Sequence, residues 1–132
     1  MNNIVGLGSE IVECLRIAQM IERHAEQFLR RAFSDQEIDF CNRQRAATQQ
    51  FAAHWAGKQA VLRAIDFHRR SGITWRDIEL THPPIGPTQV SFRGALRDYC
   101  QERGIEQVML SMSHCRTHAT AYAVAIARQN DQ

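Results

Sequence analysis

Lysine is almost missing from this chain: Lys58 is the only one, and the other fifteen basic side chains are arginine. Cysteine is present but unorganised. Cys14, Cys41, Cys100 and Cys115 are widely spaced and form no C-x-x-C pair, which argues against a zinc knuckle or a dithiol motif and leaves reduced, partly buried thiols. Long apolar runs are lacking as well. The longest, near Ala119 to Ala127, contains Thr120 and falls far short of the roughly 20 residues needed to cross a bilayer. The opening Met1-Asn2-Asn3-Ile4-Val5 has no basic segment ahead of an apolar stretch. A soluble, cytoplasmic protein that engages no membrane is therefore expected. Excess charge is also small, at +2 from sixteen basic and fourteen acidic side chains, where a general nucleic-acid binder would be more basic. No repeat or low-complexity tract is present, and 132 residues with 44% hydrophobic content suit one compact domain spanning 1–132.

What the chain does contain is organised around an alanine-rich run from His54 to Ala64. At 3.6 residues per turn, Trp55, Gln59, Leu62 and Arg63 fall together at steps of three and four, with Lys58 one residue round from Gln59. The spacing predicts a long central helix, from about Gln49 to Phe67, that presents a small polar cluster. Periodicity alone reads it equally as an ordinary amphipathic helix with solvated charges.

Ahead of it, Ile4-Val5-Gly6-Leu7-Gly8 reads as a strand ending in a tight turn, with Ser9 able to cap a helix start. Leu15, Ile17, Met20, Ile21, Phe28 and Leu29 predict an amphipathic helix over Val12 to Arg31. On its other face Arg16, Met20 and Arg23 stand at i, i+4 and i+7. A thioether between two guanidinium groups suits an acidic partner helix with an apolar centre, and a solvated basic face is the plainer alternative. Ser34 to Glu37 forms a capping box opening a short helix through about Cys41.

Beyond the central helix, Arg69 and Arg70 are either phosphate contacts or solvated loop charges. Trp75 to Leu80 alternates as a strand does, His82 to Pro87 is a turn, and Thr88 to Phe92 a returning strand. Gly94 to Arg103 predicts a short helix with Ala95, Leu96 and Tyr99 inward. Gln107 to His114 and Ala119 to Ala127 complete the strands, the second thin enough in alanine to pack close to the central helix.

Trp55-x-x-Lys58-Gln59-Ala60-Val61-x-Arg63 resembles the Trp-x-x-Lys-Glu-Ala-x-x-Lys signature of the phosphopantetheinyl transferases, and the whole chain resembles their small holo-acyl-carrier-protein synthase branch. Gly6-Leu7-Gly8-Ser9-Glu10-Ile11-Val12-Glu13 resembles Gly-Ile-Gly-Thr-Asp-Ile-Val-Glu, and the stretch Gln107 to His114 resembles Val-Ser-Leu-Ser-His. The resemblance implies an α+β fold with the long central helix packed on an antiparallel sheet. It implies transfer of 4′-phosphopantetheine from coenzyme A to a serine of apo-acyl carrier protein, a step of fatty acid biosynthesis, in a homotrimer with sites between subunits.

The residues carried over are Glu10 and Gln59 as magnesium ligands and Lys58 as a charge for phosphate. Glu10, Lys58, Gln59 and His114 are the implied catalytic set. Lys58, Arg63, Pro87, Ser113 and His114 are the implied coenzyme A contacts, and Arg16, Met20 and Arg23 the carrier-protein surface. Pro87 stands where the family's hairpin has a lysine, and three further site letters depart from the pattern. Gln59 replaces a glutamate, Glu10 an aspartate and Arg63 a lysine. A non-catalytic or chemically diverged homologue that binds coenzyme A or carrier protein is the alternative they leave open.

Overall fold

The computed structural model describes residues 3–68 and 74–128, so Arg69 and Arg70 lie outside the described residues. Strand β1 (Ile4–Glu13) leads into helix α1 (Cys14–Ala32), then α2 (Asp35–Asn42) and the central α3 (Ala47–Ala64). After a 3₁₀ turn at Trp75–Asp77 come β2 (Ile78–Thr81), β3 (Gln89–Phe92), α4 (Gly94–Glu102), β4 (Ile105–His114) and β5 (His118–Ala127). The three long strands form an antiparallel sheet in the order β1-β5-β4, and β2 and β3 form a separate antiparallel hairpin. This is the α+β arrangement expected, with α3 lying across the sheet.

Helix and sheet meet at backbone distance. Ala56, Ala60 and Ala64 of α3 and Ala119, Ala121, Ala123 and Ala125 of β5 are all buried, so only methyl groups separate the two elements. In β1 even methyl groups are excluded. A Cβ on Gly6 would stand 1.8 Å from the Ala64 carbonyl oxygen, and one on Gly8 1.9 Å from that of Ala60. The sequence reading of these glycines as a turn is therefore corrected: β1 runs unbroken to Glu13, and its glycines let α3 approach. Ser9 accordingly caps nothing, and α1 begins after Glu13 without a side-chain cap.

Two apolar clusters share α3. Its C-terminal half packs with β2, α4, β4 and β5, while its N-terminal half packs with α1 and α2 through Phe28, Phe33 and Phe51. Helix α1 is not continuous: Ala25, at φ 44 and ψ −123, breaks it, and Phe28 and Ala32 beyond the break are buried. The Ser34–Glu37 box forms as expected, with Glu37 N donating to Ser34 Oγ at 3.2 Å and Ser34 N donating to Glu37 Oε1 at 2.7 Å. Trp75 to Asp77 is a turn and not a strand, because the Asp77 carboxylate accepts from Thr74 N and closes it. In α4, Leu96 and Cys100 face inward with Tyr99 half-buried, while Ala95 is exposed, contrary to its expected place. Among the described residues, no helix is long and apolar enough to cross a membrane.

Candidate active site

The central helix is almost wholly buried from Phe51 to Ala64, and only Trp55, Gln59, Leu62 and Arg63 retain exposure. Those four are the residues that helical spacing grouped. Gln59 is half-buried and its side chain makes no hydrogen bond to a described residue. Facing it across the helix–sheet junction is Glu10 of β1. Glu10 Oε1 accepts from Ile11 N at 3.1 Å, and Oε2 lies 3.3 Å from Arg63 Nη2. Arg63 also donates through Nη1 to the Ser9 carbonyl oxygen, so its planar fork spans backbone and carboxylate together.

Glu10 and Gln59 line one groove of about 470 Å³, together with Arg16 and Met20 of α1 and Trp55. Arg23 is exposed further along the same helix. A second depression, of about 560 Å³, continues past Gln59 and Met20 between Trp55 and Trp75, whose rings lie 4.9 Å apart. The groove thus brings the Glu10 and Glu13 carboxylates, the Gln59 amide and the Arg16 guanidinium together, with Arg63 against Glu10 at its edge. Among the described residues, no three histidine, cysteine, aspartate or glutamate side chains converge on a common point.

Lys58 takes no part in this groove. The expectation that it offers its charge to a phosphate is corrected by its position one residue round the helix, where it is fully buried. Its Nζ donates to the Ala32 carbonyl at 2.8 Å, to Glu37 Oε1 at 2.7 Å and to the Trp75 carbonyl at 3.0 Å. An ammonium has three protons, and all three are used. Burial pushes its pKa down, and the adjacent Glu37 carboxylate opposes that shift. Glu37 Oε2 in turn accepts from Leu80 N at 2.7 Å, so one ion pair ties together α1, α2, α3, the 3₁₀ turn and β2. A capping box read as purely local is the anchor of the signature lysine.

The remaining candidates lie elsewhere on the single chain. Ser113 and His114, at the end of β4, border a depression of about 450 Å³ with Gln50 and His82. His114 Nε2 is 3.3 Å from Gln50 Nε2. Pro87 lines a third groove, beside Gln107 and Met109. Glu10 and Met112 both pair with Ala121, from opposite edges of β5, so the central strand stands between the Glu10 group and the end of β4.

Sequence reasoning missed a histidine pair, His54 buried and His82 half-buried. His54 Nδ1 donates to the Gln50 carbonyl at 2.8 Å, which leaves its Nε2 to accept from His82 Nε2 at 2.8 Å. Thr88 Oγ1 then donates to His82 Nδ1 at 3.2 Å, and the Phe40 ring stacks on His82 at 4.0 Å. Burial lowers the His54 pKa to about 4 and lowers that of His82 as well. Nothing in the spacing of residues 54 and 82 signals this contact, which depends on the β2–β3 turn folding back over α3.

Residues 6–127 match the model of the 4′-phosphopantetheinyl transferase superfamily. The holo-[acyl-carrier-protein] synthase of Rhodopirellula baltica is 50% identical over 122 residues, covering 92% of this chain and 96% of that one. The crystal structure of the Neisseria meningitidis holo-[acyl-carrier-protein] synthase superimposes with a TM-score of 0.83 at 27% identity, covering 92% and 98% of the two chains. That of the Helicobacter pylori synthase in complex with coenzyme A shares the fold, with a TM-score of 0.78 at 24% identity over 90% and 98%.

Proposed function

The chain belongs to the 4′-phosphopantetheinyl transferase superfamily, and from that membership we propose that it transfers 4′-phosphopantetheine from coenzyme A to a serine hydroxyl of apo-acyl carrier protein. The serine oxygen forms a bond to the phosphorus that carries pantetheine, the pyrophosphate linkage breaks, and adenosine 3′,5′-bisphosphate leaves. The observation that carries the reading is half-identity over nearly the full length of a holo-[acyl-carrier-protein] synthase. The non-catalytic alternative is not favoured, because the similar full-length relatives are holo-[acyl-carrier-protein] synthases.

Glu10 and Gln59 are hard oxygen donors on one groove, and they fit magnesium as part of a shell that coenzyme phosphate and water would complete. The chemistry a bound magnesium supplies is neutralisation of charge on the pyrophosphate. Arg63 adds a fixed positive charge that cannot act as a base. The depression beside the Trp55–Trp75 pair offers aromatic and polar side chains together to a bound substrate. Arg16 and Met20 line the groove and Arg23 is exposed further along α1, two cations and a flexible apolar side chain that suit an acidic helix of the carrier protein.

A homotrimer with sites between subunits accounts for two features of the single chain. Ser113, His114 and Pro87 lie apart from Glu10 and Gln59, and a neighbouring subunit would bring the two groups together. The sheet face turned away from α3 carries exposed Leu7, Ile11, Met109 and Tyr122, apolar surface of the kind buried in subunit contacts. Action in fatty acid biosynthesis, in the cytoplasm, follows from the same reading. Incubation with coenzyme A, magnesium and apo-acyl carrier protein is expected to raise the carrier's mass by one phosphopantetheine group. An unchanged mass over a range of carrier proteins refutes transfer.

A further inference from the structure

Arg63 is the only cation within 4 Å of the Glu10 carboxylate among the described residues, and it is held there from two directions. Glu10 is largely sheltered, at 19% side-chain exposure, while the guanidinium on top of it is 55% exposed. The carboxylate oxygen not facing Arg63 already accepts from a backbone amide. The other residue of the set, Gln59, is neutral. The three groups at this point, Glu10, Gln59 and Arg63, therefore sum to zero charge, and Glu13 and Arg16, which line the same groove with opposite signs, leave that sum unchanged. A divalent cation arriving alone would meet a neutral shell with a guanidinium on its one anionic ligand, and a hydrated dication gains little from such a set.

Resting on the transferase reading, we propose that Arg63 is a built-in counter-cation: it occupies Glu10 in the resting chain, keeps divalent metal out, and yields the carboxylate only when the pyrophosphate of the coenzyme supplies a new anionic partner for its fork. Metal and nucleotide then bind as a pair, in place of a metal that is resident beforehand. The geometry allows the exchange because Arg63 is the exposed member of the pair and its planar donors match phosphate as well as carboxylate. The neutral Gln59 contributes by withholding the second charge that would otherwise hold a free ion. Arg63 is in this sense a residue that sets the order of binding.

The test is binding of manganese, as a spectroscopic stand-in for magnesium, followed by the electron paramagnetic resonance signal of the free ion. It uses the full chain, with no carrier protein present. Wild type without nucleotide is expected to bind weakly, and Arg63→Met to bind roughly threefold to fivefold more tightly, a fold-change equivalent to about 0.6–1 kcal/mol of released pairing. Adenosine 3′,5′-bisphosphate, which has no pyrophosphate, should leave wild type weak. Coenzyme A, corrected for its own chelation in a protein-free titration, should tighten wild type more than Arg63→Met. In a Glu10→Gln background the Arg63→Met gain should vanish. Equal affinity of nucleotide-free wild type and Arg63→Met, or a gain that survives Glu10→Gln, overturns the proposal. Failure of the transfer assay alone would count against the enzymatic reading, whereas the manganese affinities decide the role of Arg63 independently of turnover.

Discussion

Lys58→Met separates the two roles that the signature lysine can play. The substitution keeps most of the side-chain volume but removes an ammonium that holds two carbonyls and the Glu37 carboxylate. Glu37 is then left as a buried charge, still accepting from Ser34 N and Leu80 N but without its counter-ion. Removing one partner of a buried ion pair costs about 3–5 kcal/mol, a large part of the roughly 5–15 kcal/mol that stabilises a domain. The midpoint of thermal unfolding should fall by roughly 10–20 °C. Adding Glu37→Gln removes the stranded charge while keeping an acceptor, so the double variant should be more stable than Lys58→Met alone. The assay is urea unfolding followed by circular dichroism at one fixed protein concentration, since assembly would make stability concentration-dependent. A loss below about 1 kcal/mol, accompanied by a large loss of transfer, would refute the structural assignment and return Lys58 to the substrate.

The histidine pair predicts an acid limb. Unfolded, His54 protonates near pH 6.5; folded, it does so only near pH 4, so the unfolded chain binds the extra proton between those values. Stability present above pH 6.5 should fall by about 3 kcal/mol on acidification to pH 4, with His82 acting in the same direction, and His54→Gln should flatten that slope in urea titrations at stepped pH. Charge reversal at Arg16 and Arg23 should weaken carrier-protein binding strongly at low salt and less near physiological salt, where screening acts beyond about 8 Å; unchanged affinity at low salt would remove the docking assignment. Gln59→Glu should raise divalent-ion affinity and transfer together, and equal or weaker ion binding would mean that the groove has adapted to a neutral side chain.

Legibility followed the range of the interactions. The face of α3 carrying Trp55, Gln59, Leu62 and Arg63 could be read from spacing, because helical periodicity is a local property and the alanines around it specify burial without ambiguity. The capping box was legible for the same reason. The break of α1 was not. It occurs at Ala25, the residue type with the highest helix propensity, so the local sequence opposes what packing of Phe28 and Ala32 imposes. The glycines of β1 were misread because a turn and a close helix contact both require a missing Cβ. Only the position of the Ala60 and Ala64 carbonyls distinguishes them.

The same limit governs the chemistry. A motif lists residue types at fixed spacing, and Lys58 and Gln59 are adjacent in it, yet one residue round a helix is about 100° and moves a side chain from groove to core. Which of the two faces the groove was decided by Glu37, twenty-one positions earlier, whose carboxylate gives a buried ammonium a partner. Arg63 shows the converse. At the helix's exposed edge its charge is free to find Glu10, fifty-three residues away in sequence, through a strand that its own helix packs against. The departures from the signature are therefore coupled: a longer acid at position 10, a planar cation at 63 and a neutral amide at 59 form one charge-balanced set. Gln59→Glu adds a negative charge, whereas Arg63→Lys keeps the charge and removes the planar fork that spans the Glu10 carboxylate and the Ser9 carbonyl, so the two are expected to be non-additive in divalent-ion affinity when measured as a double-mutant cycle. Strict additivity would mean that the three positions diverged independently.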